Sequence, residues 1–356
     1  MYIIRVDKEL FGNLERVIFW NNKGGTGKTT LAFQILCEYA WQNKKKKILV
    51  IDVCPQANIS ELLLGGLNQG GSDVLLMRQG ENPRATIGGY FQMRLPSPYS
   101  VPSFNPKDYL TKPHRYNSYI SDNIDLLCGD AMLELQSNAI STLANNQIPG
   151  TNTWIAIINW LNDFIQPIEK EYDIVFLDAN PSFSMYTQIA IATSSKVVLP
   201  VMADDSSRRA IQNAFSLIYG LKLPSEIYSK YAFAEKLREV DMKLPKVYLV
   251  LKNRLTQYMG AASAYATVLE AIDRDVVSLL ETHPSIFSFS FLTEGIMNVR
   301  DFQTVGVVSV ARGCPFQLLK AGRLELMGKR VAVKEDYRQN CIASVEKIVS
   351  KMNKEL

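Results

Sequence analysis

The stretch NKGGTGKTT, residues 22–30, decides the fold. It follows a β-branched and aromatic run, RVIFWN at 16–21, and it precedes TLAFQILCEYAWQ at 30–42, where apolar residues recur at helical spacing. The order predicts a strand, a glycine-rich loop and a helix. Glycines allow successive backbone N–H groups in such a loop to point at phosphate oxygens, and the helix adds its positive N-terminal end.

The loop ends in Gly27-Lys28-Thr29, the last part of the GxxxxGK[ST] phosphate-binding pattern, although Asn22 stands where that pattern has its first glycine. In this pattern the lysine reaches the β- and γ-phosphates and the threonine hydroxyl binds Mg²⁺. A chance glycine turn is rejected because the motif follows a predicted strand and opens a predicted helix. The predicted nucleotide-binding residues are Gly24, Gly25, Thr26, Gly27, Lys28, Thr29 and Thr30.

Four later runs are continuously apolar: ILVIDV at 48–53, IVFLDA at 174–179, KVVLPV at 196–201 and KVYLVLKN at 246–253. Runs of this kind are typical of parallel strands that are buried on both faces, and the segments between them are long enough for crossover helices. The sequence therefore predicts a single α/β domain over 1–356, with a doubly wound, mainly parallel sheet flanked by helices.

Composition excludes several other classes of protein. The chain has 356 residues, 47% of them hydrophobic, and its Lys+Arg count of 39 against 35 Asp+Glu gives a net charge of +4, so any nucleic-acid site must be a local patch. Five cysteines without a CxxC pair and two histidines indicate neither a disulfide framework nor a zinc site. The N-terminal segment has no apolar signal core, and no run reaches the roughly 18 apolar residues of a spanning helix. We expect a cytoplasmic protein.

The segment KGGTGKTT, residues 23–30, resembles the deviant Walker A motif KGGxGKT[ST] of the ParA/MinD family of P-loop ATPases. A signature lysine precedes the first glycine in that motif, and Lys23 is its counterpart here. The resemblance implies that ATP and Mg²⁺ bind at this loop. It also implies a homodimer with ATP sandwiched at the interface, in which Lys23 reaches the nucleotide of the partner and thereby takes part in catalysis.

The segment ILVIDVCPQANIS, residues 48–60, is similar to the switch segment of the same family, IDxDPQGN. This similarity places Asp52 near the metal and Cys54 at the position of the aspartate that orients or activates the attacking water. A thiol is a poor hydrogen-bond acceptor and is uncharged near neutral pH. We therefore expect slow or conditional hydrolysis, with compensation by another residue as the alternative.

Two further segments resemble the family. YDIVFLDANPS at 172–182 is similar to the Walker B region YDxxxIDxPPS, which implies that Asp178 joins Thr29 and Asp52 at the metal. Asn180 departs from that pattern, because a proline usually stands there. Asn253, at the end of a predicted strand, is similar to the asparagine that recognises adenine in this family, and the alternative is an ordinary strand-terminal turn residue.

Members of this family position cargo, some through non-specific DNA binding and others through a C-terminal membrane helix. A cationic cluster near the C-terminus is the candidate DNA patch, unless it is only a solvated face: Lys320, Arg323, Lys329, Arg330 and Lys334. The spacing of apolar residues in 335–356 predicts an amphipathic helix, and we expect it to dock on its own domain rather than on a membrane. Residues 66–120, rich in proline and aromatic residues, read as a family-atypical extended insertion and a surface for a partner protein.

Two functions from different classes remain. The first is a partition or cargo-positioning ATPase with slow or partner-stimulated hydrolysis, a function that is compatible with association with the nucleoid. The second is a scaffold or sensor in a larger complex, stabilised by ATP and poor at hydrolysis. A reductase with a cluster bridged by paired cysteines and a membrane-anchored tyrosine kinase are both excluded, since the chain has neither the cysteine pair nor a spanning helix.

Overall fold

The structure is a computed structural model that describes residues 14–202, 204–255, 263–326 and 328–356. The prediction that the chain has no signal peptide rests on N-terminal residues, and most of these lie outside the described part. The strands are β1 (Glu15–Phe19), β2 (Ile48–Val53), β3 (Leu110–Thr111), β4 (Ile124–Leu127), β5 (Ile174–Ala179), β6 (Lys196–Met202), β7 (Lys246–Leu255), β8 (Ile296–Arg300), β9 (Gly322–Leu326) and β10 (Lys329–Val333).

Eight strands form one sheet in the order β3-β4-β2-β5-β1-β6-β7-β8, and β9 and β10 form a separate antiparallel hairpin. All neighbouring strands of the large sheet pair in parallel except the short edge strand β3, which runs antiparallel to β4. The predicted doubly wound, mainly parallel fold is confirmed. The apolar runs at 48–53 and 174–179 are the central strands β2 and β5, and every residue in both is buried.

Helices cover both faces of the sheet. They are α1 (Lys28–Gln42), α2 (Asn58–Leu64), α3 (Gly71–Gln79), α4 (Ile87–Arg94), α5 (Met132–Asn145), α6 (Thr153–Ile158), α7 (Trp160–Ile165), α8 (Met185–Thr193), α9 (Asp205–Tyr219), α10 (Glu226–Ser229), α11 (Phe233–Arg238), α12 (Ser263–Thr282), α13 (Leu292–Gly295), α14 (Gln303–Arg312) and α15 (Glu335–Glu355). One apolar core lies under α1, α2, α14 and α15, and the other lies under α4 to α9, α11 and α12.

Residues 66–120 differ from the extended segment that their prolines predicted. They contain α3, α4, two short 3₁₀ turns and β3, because the prolines either fall between these elements or, as Pro106 and Pro113 do, open the 3₁₀ turns, where no backbone N–H is needed. Tyr90 and Phe91 are fully buried, and the Tyr90 hydroxyl donates a hydrogen bond to the Trp160 carbonyl oxygen at 2.5 Å. The ring of Tyr90 packs edge-on against Phe164 with centroids 4.9 Å apart. Tyr90 and Phe91 thus build the core and are not available to a partner, while the prediction that the segment as a whole offers a partner surface stays a prediction.

The C-terminal helix α15 lies on α1. Its apolar stripe is buried in the core, and it consists of Cys341, Ile342, Val345, Ile348, Val349 and Met352. At the solvent edge of this contact the side chain of Asn43, which follows α1, donates a hydrogen bond to Asn353 Oδ1 at 2.8 Å. The stripe that could have faced a membrane is thus covered by the protein itself. Among the described helices, none is long and apolar enough to cross a membrane.

The carboxyl ends of five neighbouring strands meet at one edge of the sheet. These strands are β2, β5, β1, β6 and β7, and the crevice beyond such ends is where open α/β sheets bind ligands. The glycine-rich loop leaves β1 at this edge. Asp52 and Asp178 face each other in the register of β2 and β5, one residue before each strand ends. The fold therefore gathers distant motifs of the sequence at a single edge.

Candidate nucleotide-binding site

The loop between β1 and α1 has the backbone that a phosphate cradle requires. Gly25 and Gly27 adopt left-handed φ angles of 75° and 78°, which favour glycine. At Gly27 there is also no room for a side chain, because a Cβ there would clash with the side-chain amide of Asn253. The helix α1 begins directly afterwards, at Lys28. Loop amides and a helix N-terminus therefore face the same space.

That space is a cavity of about 450 Å³. All the predicted loop residues from Gly24 to Thr30 line it, as does Lys23. The other lining residues follow β2 and β5 or stand near the end of β7, namely Cys54, Gln56, Asn58, Asn180, Pro181 and Arg254. The switch segment and the Walker B segment thus meet the phosphate loop, as the sequence motifs predicted.

A buried ion pair joins the phosphate loop to the end of β5. Lys28 Nζ pairs with Asp178 Oδ1, and Thr29 Oγ1 donates a hydrogen bond to Asp178 Oδ2 at 2.9 Å. Lys28 is 7% exposed and Asp178 only 1%. An isolated charge of either sign would be costly at this depth, so each group offsets the desolvation of the other.

Asp52 lies beside this pair and is completely buried. It accepts hydrogen bonds from the Cys54 and Ser60 amides at 3.1 and 3.0 Å and from the Ser60 hydroxyl at 2.7 Å. Burial first, and then the neighbouring Asp178 carboxylate, raise the pKa of Asp52 to about 7, although the Ser60 hydrogen bonds and Lys28 oppose this rise. The site therefore has an excess of negative charge, which an added cation would relieve.

The donor atoms at this point suit Mg²⁺. Thr29, Asp52 and Asp178 contribute one hydroxyl and two carboxylates, and Mg²⁺ prefers oxygen ligands that include one or two carboxylates together with water and phosphate oxygens. No cluster of three or more His, Cys, Asp or Glu side chains with metal-site geometry occurs in the described part of the chain. The protein side of the site is thus of the kind that holds Mg²⁺ jointly with a nucleotide rather than alone.

Cys54 lines the cavity but is only 5% exposed. Burial first, followed by the charge of Asp52, raises the pKa of the Cys54 thiol to about 12. The group is consequently a neutral thiol across the physiological range. It cannot accept a proton from water as a carboxylate at this position would.

Lys23 is bound within its own chain. Its ammonium contacts both carboxylate oxygens of Asp204 at 2.7 Å and the hydroxyl of Ser207 at 3.1 Å. Asp204 also caps α9 by accepting a hydrogen bond from the Ser207 amide at 2.7 Å. Although partial burial raises the pKa of Asp204, the hydrogen bonds from Lys23, Ser206 and Ser207 lower it to about 2. Lys23 has to leave this carboxylate before it can reach any other group.

Asn253 supports the phosphate loop. The residue is 3% exposed, and its Nδ2 donates a hydrogen bond to the Thr26 carbonyl oxygen at 2.8 Å, underneath the phosphate loop. Its side-chain oxygen has no hydrogen-bond partner among the described residues, so the predicted adenine contact stays a prediction. The sequence could not reveal the contact with Thr26, since a polar residue near the end of β7 fits either role.

Two features of the site had no clear signal in the sequence. Arg254 lines the cavity, with a left-handed φ of 59° that turns the chain just after Asn253. Such a backbone angle is uncommon for residues other than glycine and is found preferentially at functional sites. The side-chain oxygens of Asn22 and Thr26 are buried without a hydrogen-bond partner among the described residues, which leaves unused polar groups in the loop.

The cationic cluster near the C-terminus lies on and beside the β9–β10 hairpin. All five predicted residues are exposed: Lys320, Arg323, Lys329, Arg330 and Lys334. In the hairpin register Arg330 lies opposite Glu325, and Arg323 lies opposite Ala332, so these side chains share one face. Lys329 lies opposite Leu326 and falls on the other face, so the register groups two of the predicted cations with one carboxylate.

A family model described as an AAA domain, AAA_31, matches residues 15–226, more than half of the chain. The chain belongs to this family, whose members are ParA/MinD-type P-loop ATPases. The match includes the phosphate loop, both aspartate-bearing strands and the segment 66–120.

Relatives of this AAA_31 protein include ParA-type proteins. The Virulence plasmid ParA family protein pGP5-D of Chlamydia muridarum is 24% identical over 216 residues, which cover 60% of this chain and 65% of the relative. The Cell division protein PomZ of Myxococcus xanthus is 23% identical over 207 residues, covering 58% and 52%. The matched part thus spans between half and two thirds of the length of these relatives.

Solved structures share the fold. Apo McdA from Cyanothece superposes with a TM-score of 0.57 at 14% identity, covering 94% of this chain and 98% of McdA. A plasmid partition protein from Borrelia burgdorferi bound to AMPPNP gives a TM-score of 0.55 at 16% identity, covering 96% and 100%. These likenesses support the P-loop ATPase fold.

We predict that Asn253→Ala weakens the loop rather than base recognition. Removing this buried hydrogen bond should lower the free energy of unfolding by about 1 kcal/mol. The variant should also lose affinity for ATP and GTP by the same factor, because the loop contacts the phosphates that both nucleotides share. Calorimetric titration with each nucleotide measures this. A selective loss of ATP affinity, with GTP unchanged, would restore the adenine role.

Proposed function

We propose that this chain is a ParA-like ATPase that binds ATP with Mg²⁺, dimerises when ATP is bound and uses this cycle to position DNA or another cargo. The observation that carries the proposal is that Lys28 and Thr29 line one cavity at the carboxyl edge of the sheet and both contact Asp178, which lies buried beside Asp52 directly behind them. The relatives support it, since their names refer to plasmid ParA proteins and to cell division.

The residues have separable roles in this proposal. The loop amides and Lys28 bind the phosphates, which requires the Lys28 ammonium to turn from Asp178 toward the nucleotide. Thr29, Asp52 and Asp178 hold Mg²⁺, which when bound offsets the negative charge of the phosphates. Arg254 adds a positive charge on the wall of the same cavity. Positive groups from several elements would therefore neutralise the negative charge of a triphosphate.

The dimer depends on Lys23. In the free chain its ammonium is neutralised by Asp204, which is part of the N-terminal cap of α9. A partner's nucleotide offers Lys23 phosphate oxygens of higher charge, so ATP at the interface competes with Asp204 for the same ammonium. An equilibrium of this kind shifts only by the difference in affinity between the two states, and the γ-phosphate that separates ATP from ADP supplies such a difference.

We predict that Mg²⁺-ATP converts the chain from monomer to dimer, whereas ADP does not. Multi-angle light scattering should give twice the 40.1 kDa mass of one chain with ATP and the single mass without nucleotide. Lys23→Ala should still bind ATP but remain monomeric. Lys222→Ala, which removes an exposed lysine outside the site, serves as the control and should dimerise normally. A monomeric mass for wild-type protein with verified bound ATP would refute the dimer switch.

A second function, an ATP-stabilised scaffold or sensor with little hydrolysis, is favoured by Cys54. The Cys54 thiol carries no negative charge at neutral pH, and the chain has no carboxylate at this position. Loss of such a group affects the attack of water more than it affects ATP binding, because phosphate binding relies on other residues. The rate of hydrolysis decides between the two functions.

We predict that Cys54→Asp raises steady-state ATP turnover at least about tenfold, since it restores a carboxylate next to the phosphates. Cys54→Ser keeps the size without adding a charge and should stay at the wild-type rate. Thermal melting of each variant checks the fold, because a third buried carboxylate beside Asp52 costs stability.

The wild-type rate separates the two functions directly. Brisk wild-type turnover that Lys28→Ala abolishes would eliminate the scaffold. Tight ATP binding without any turnover, in the presence or absence of DNA, would eliminate the positioning ATPase.

The proposed cargo surface for DNA is the β9–β10 hairpin. Its exposed Arg323 and Arg330 share one face, and cations of this kind give non-specific binding that weakens with salt. The proposal places the protein in the cytoplasm, on the nucleoid when ATP is bound. A partner protein that stimulates hydrolysis completes the cycle.

We predict that the double variant Arg323→Ala, Arg330→Ala weakens binding to duplex DNA of any sequence. The slope of log affinity against log salt should fall by about 2, roughly 0.9 for each phosphate contact removed. The matched control is Lys222→Ala, Lys243→Ala, which removes the same charge elsewhere. Anisotropy titrations at several salt concentrations measure the slope. An unchanged slope in the hairpin variant would exclude this surface.

A further inference from the structure

A second cavity, of about 300 Å³, adjoins the nucleotide cavity through the loop after β5. Asn180 and Pro181, in the first half of this loop, line the nucleotide cavity, whereas Phe183 and Ser184 line the second one. The indole N–H of Trp20, at the end of β1, donates a hydrogen bond to the Asn180 carbonyl oxygen at 2.9 Å, and its ring packs on Phe183. One short loop therefore borders both spaces.

One wall of the second cavity is a polar row on α5. The row contains Ser137, Asn138, Ser141 and Asn145. Because three of these residues follow each other at one-turn intervals, the row is about 12 Å long. The side chains of Ser137 and Asn138 make no hydrogen bond with the described residues. A row of this length offers hydrogen bonds to an extended chain of about four residues.

The opposite wall carries one positive charge, Lys236. Its ammonium lies 5.1 Å from the ring centroid of Trp154 and forms no ion pair within the described part of the chain. No aspartate or glutamate is found among the described lining residues. Burial lowers the pKa of Lys236, although Glu239 opposes this effect. A half-buried lysine facing a cavity without carboxylates is complementary to an anion.

Exposed apolar side chains accompany this cavity in the fold. Tyr231, which lines it, is 72% exposed, and Ile227 and Tyr228 on the preceding helix α10 are 72% and 57% exposed. Clustered exposed apolar side chains of this size mark interaction sites. A small anion on Lys236 would leave Tyr231 uncovered, so this side chain favours an occupant as large as a peptide.

Aromatic residues pack behind the cavity, and part of its lining lies outside the region that the family model matches. Phe233 packs edge-on against both Phe183 and Trp154, with centroids 5.6 and 5.9 Å apart. The segment from α10 to α11, which supplies Tyr231 and Lys236, begins where the family match ends at residue 226. The cavity therefore combines a loop of the matched region with a wall from outside it.

We propose that this cavity docks an acidic segment of a partner protein, with a carboxylate of that segment on Lys236 and an apolar side chain between Phe183 and Tyr231. The extended backbone of the segment lies along the polar row of α5. The occupant touches the loop that also borders the nucleotide cavity, so it is placed to affect the ATPase site. The docking itself does not depend on ATP, and it is tested without nucleotide.

A fluorescein-labelled peptide of alternating glutamate and tryptophan is titrated with the full chain and followed by anisotropy. We expect a dissociation constant below about 1 mM. Lys236→Ala, and a peptide with glutamine in place of glutamate, should each weaken binding about tenfold, as expected for the loss of a charge-assisted hydrogen bond. Lys236→Arg should retain most of the affinity. Lys230→Ala removes an exposed lysine from the same segment but not from the cavity, and it should bind as wild type.

The contrary results are equally definite. The proposal is overturned if the acidic peptide does not bind, if the glutamine peptide binds as tightly, or if Lys236→Ala leaves binding unchanged while circular dichroism shows a folded variant. Displacement of the peptide by inorganic phosphate at the same concentration would show a small-anion site and would overturn the peptide occupant. Since no ATP is present, these outcomes are independent of the proposed nucleotide cycle.

Discussion

The buried ion pair between Lys28 and Asp178 is the interaction on which the rest of the site depends. It joins the first residue of α1 to the end of β5, and it lies directly beside the buried carboxylate of Asp52. Burial, and then the neighbouring Asp178 carboxylate, raise the pKa of Asp52. An added cation would relieve this, which is the basis of the proposed joint binding of Mg²⁺ and phosphates.

The same constraint shapes the surrounding elements. Carboxylates can be this deeply buried only if hydrogen bonds and neighbouring strands hold them in place. Ser60 on α2 donates two hydrogen bonds to Asp52, and its hydroxyl also accepts one from the Gly129 amide at 2.9 Å. The aromatic core under α4 and α7 lies on one face of the sheet, while α1 and α15 cover the other. The site is rigid because both faces of the sheet that supports it are covered.

Two lysines with similar surroundings in the sequence have different positions in the fold. Lys28 is buried and neutralises a carboxylate of the metal site, whereas Lys23 lies at the rim and neutralises the cap of α9. The first interaction is internal to the candidate nucleotide site, and the second connects that site to a helix on its border. In the proposed cycle, the partner that Lys23 selects would link the nucleotide state to this helix.

The sequence by itself determined the five central strands β1, β2, β5, β6 and β7, the phosphate loop and the positions of Asp52, Asp178 and Cys54, because each depends on local patterns: continuous apolar runs, a fixed glycine spacing and the residue at the end of a strand. It could not determine contacts between distant segments or the shorter strands at the edges. Tyr90 and Phe91 turned out to be core, and Asn253 to lie under the loop at Thr26. The pairing of Lys23 with Asp204 and the cavity around Lys236 likewise appear only in the fold. The burial and the hydrogen-bond partners of these side chains are set by packing between elements far apart in the chain, and local sequence patterns do not specify that packing.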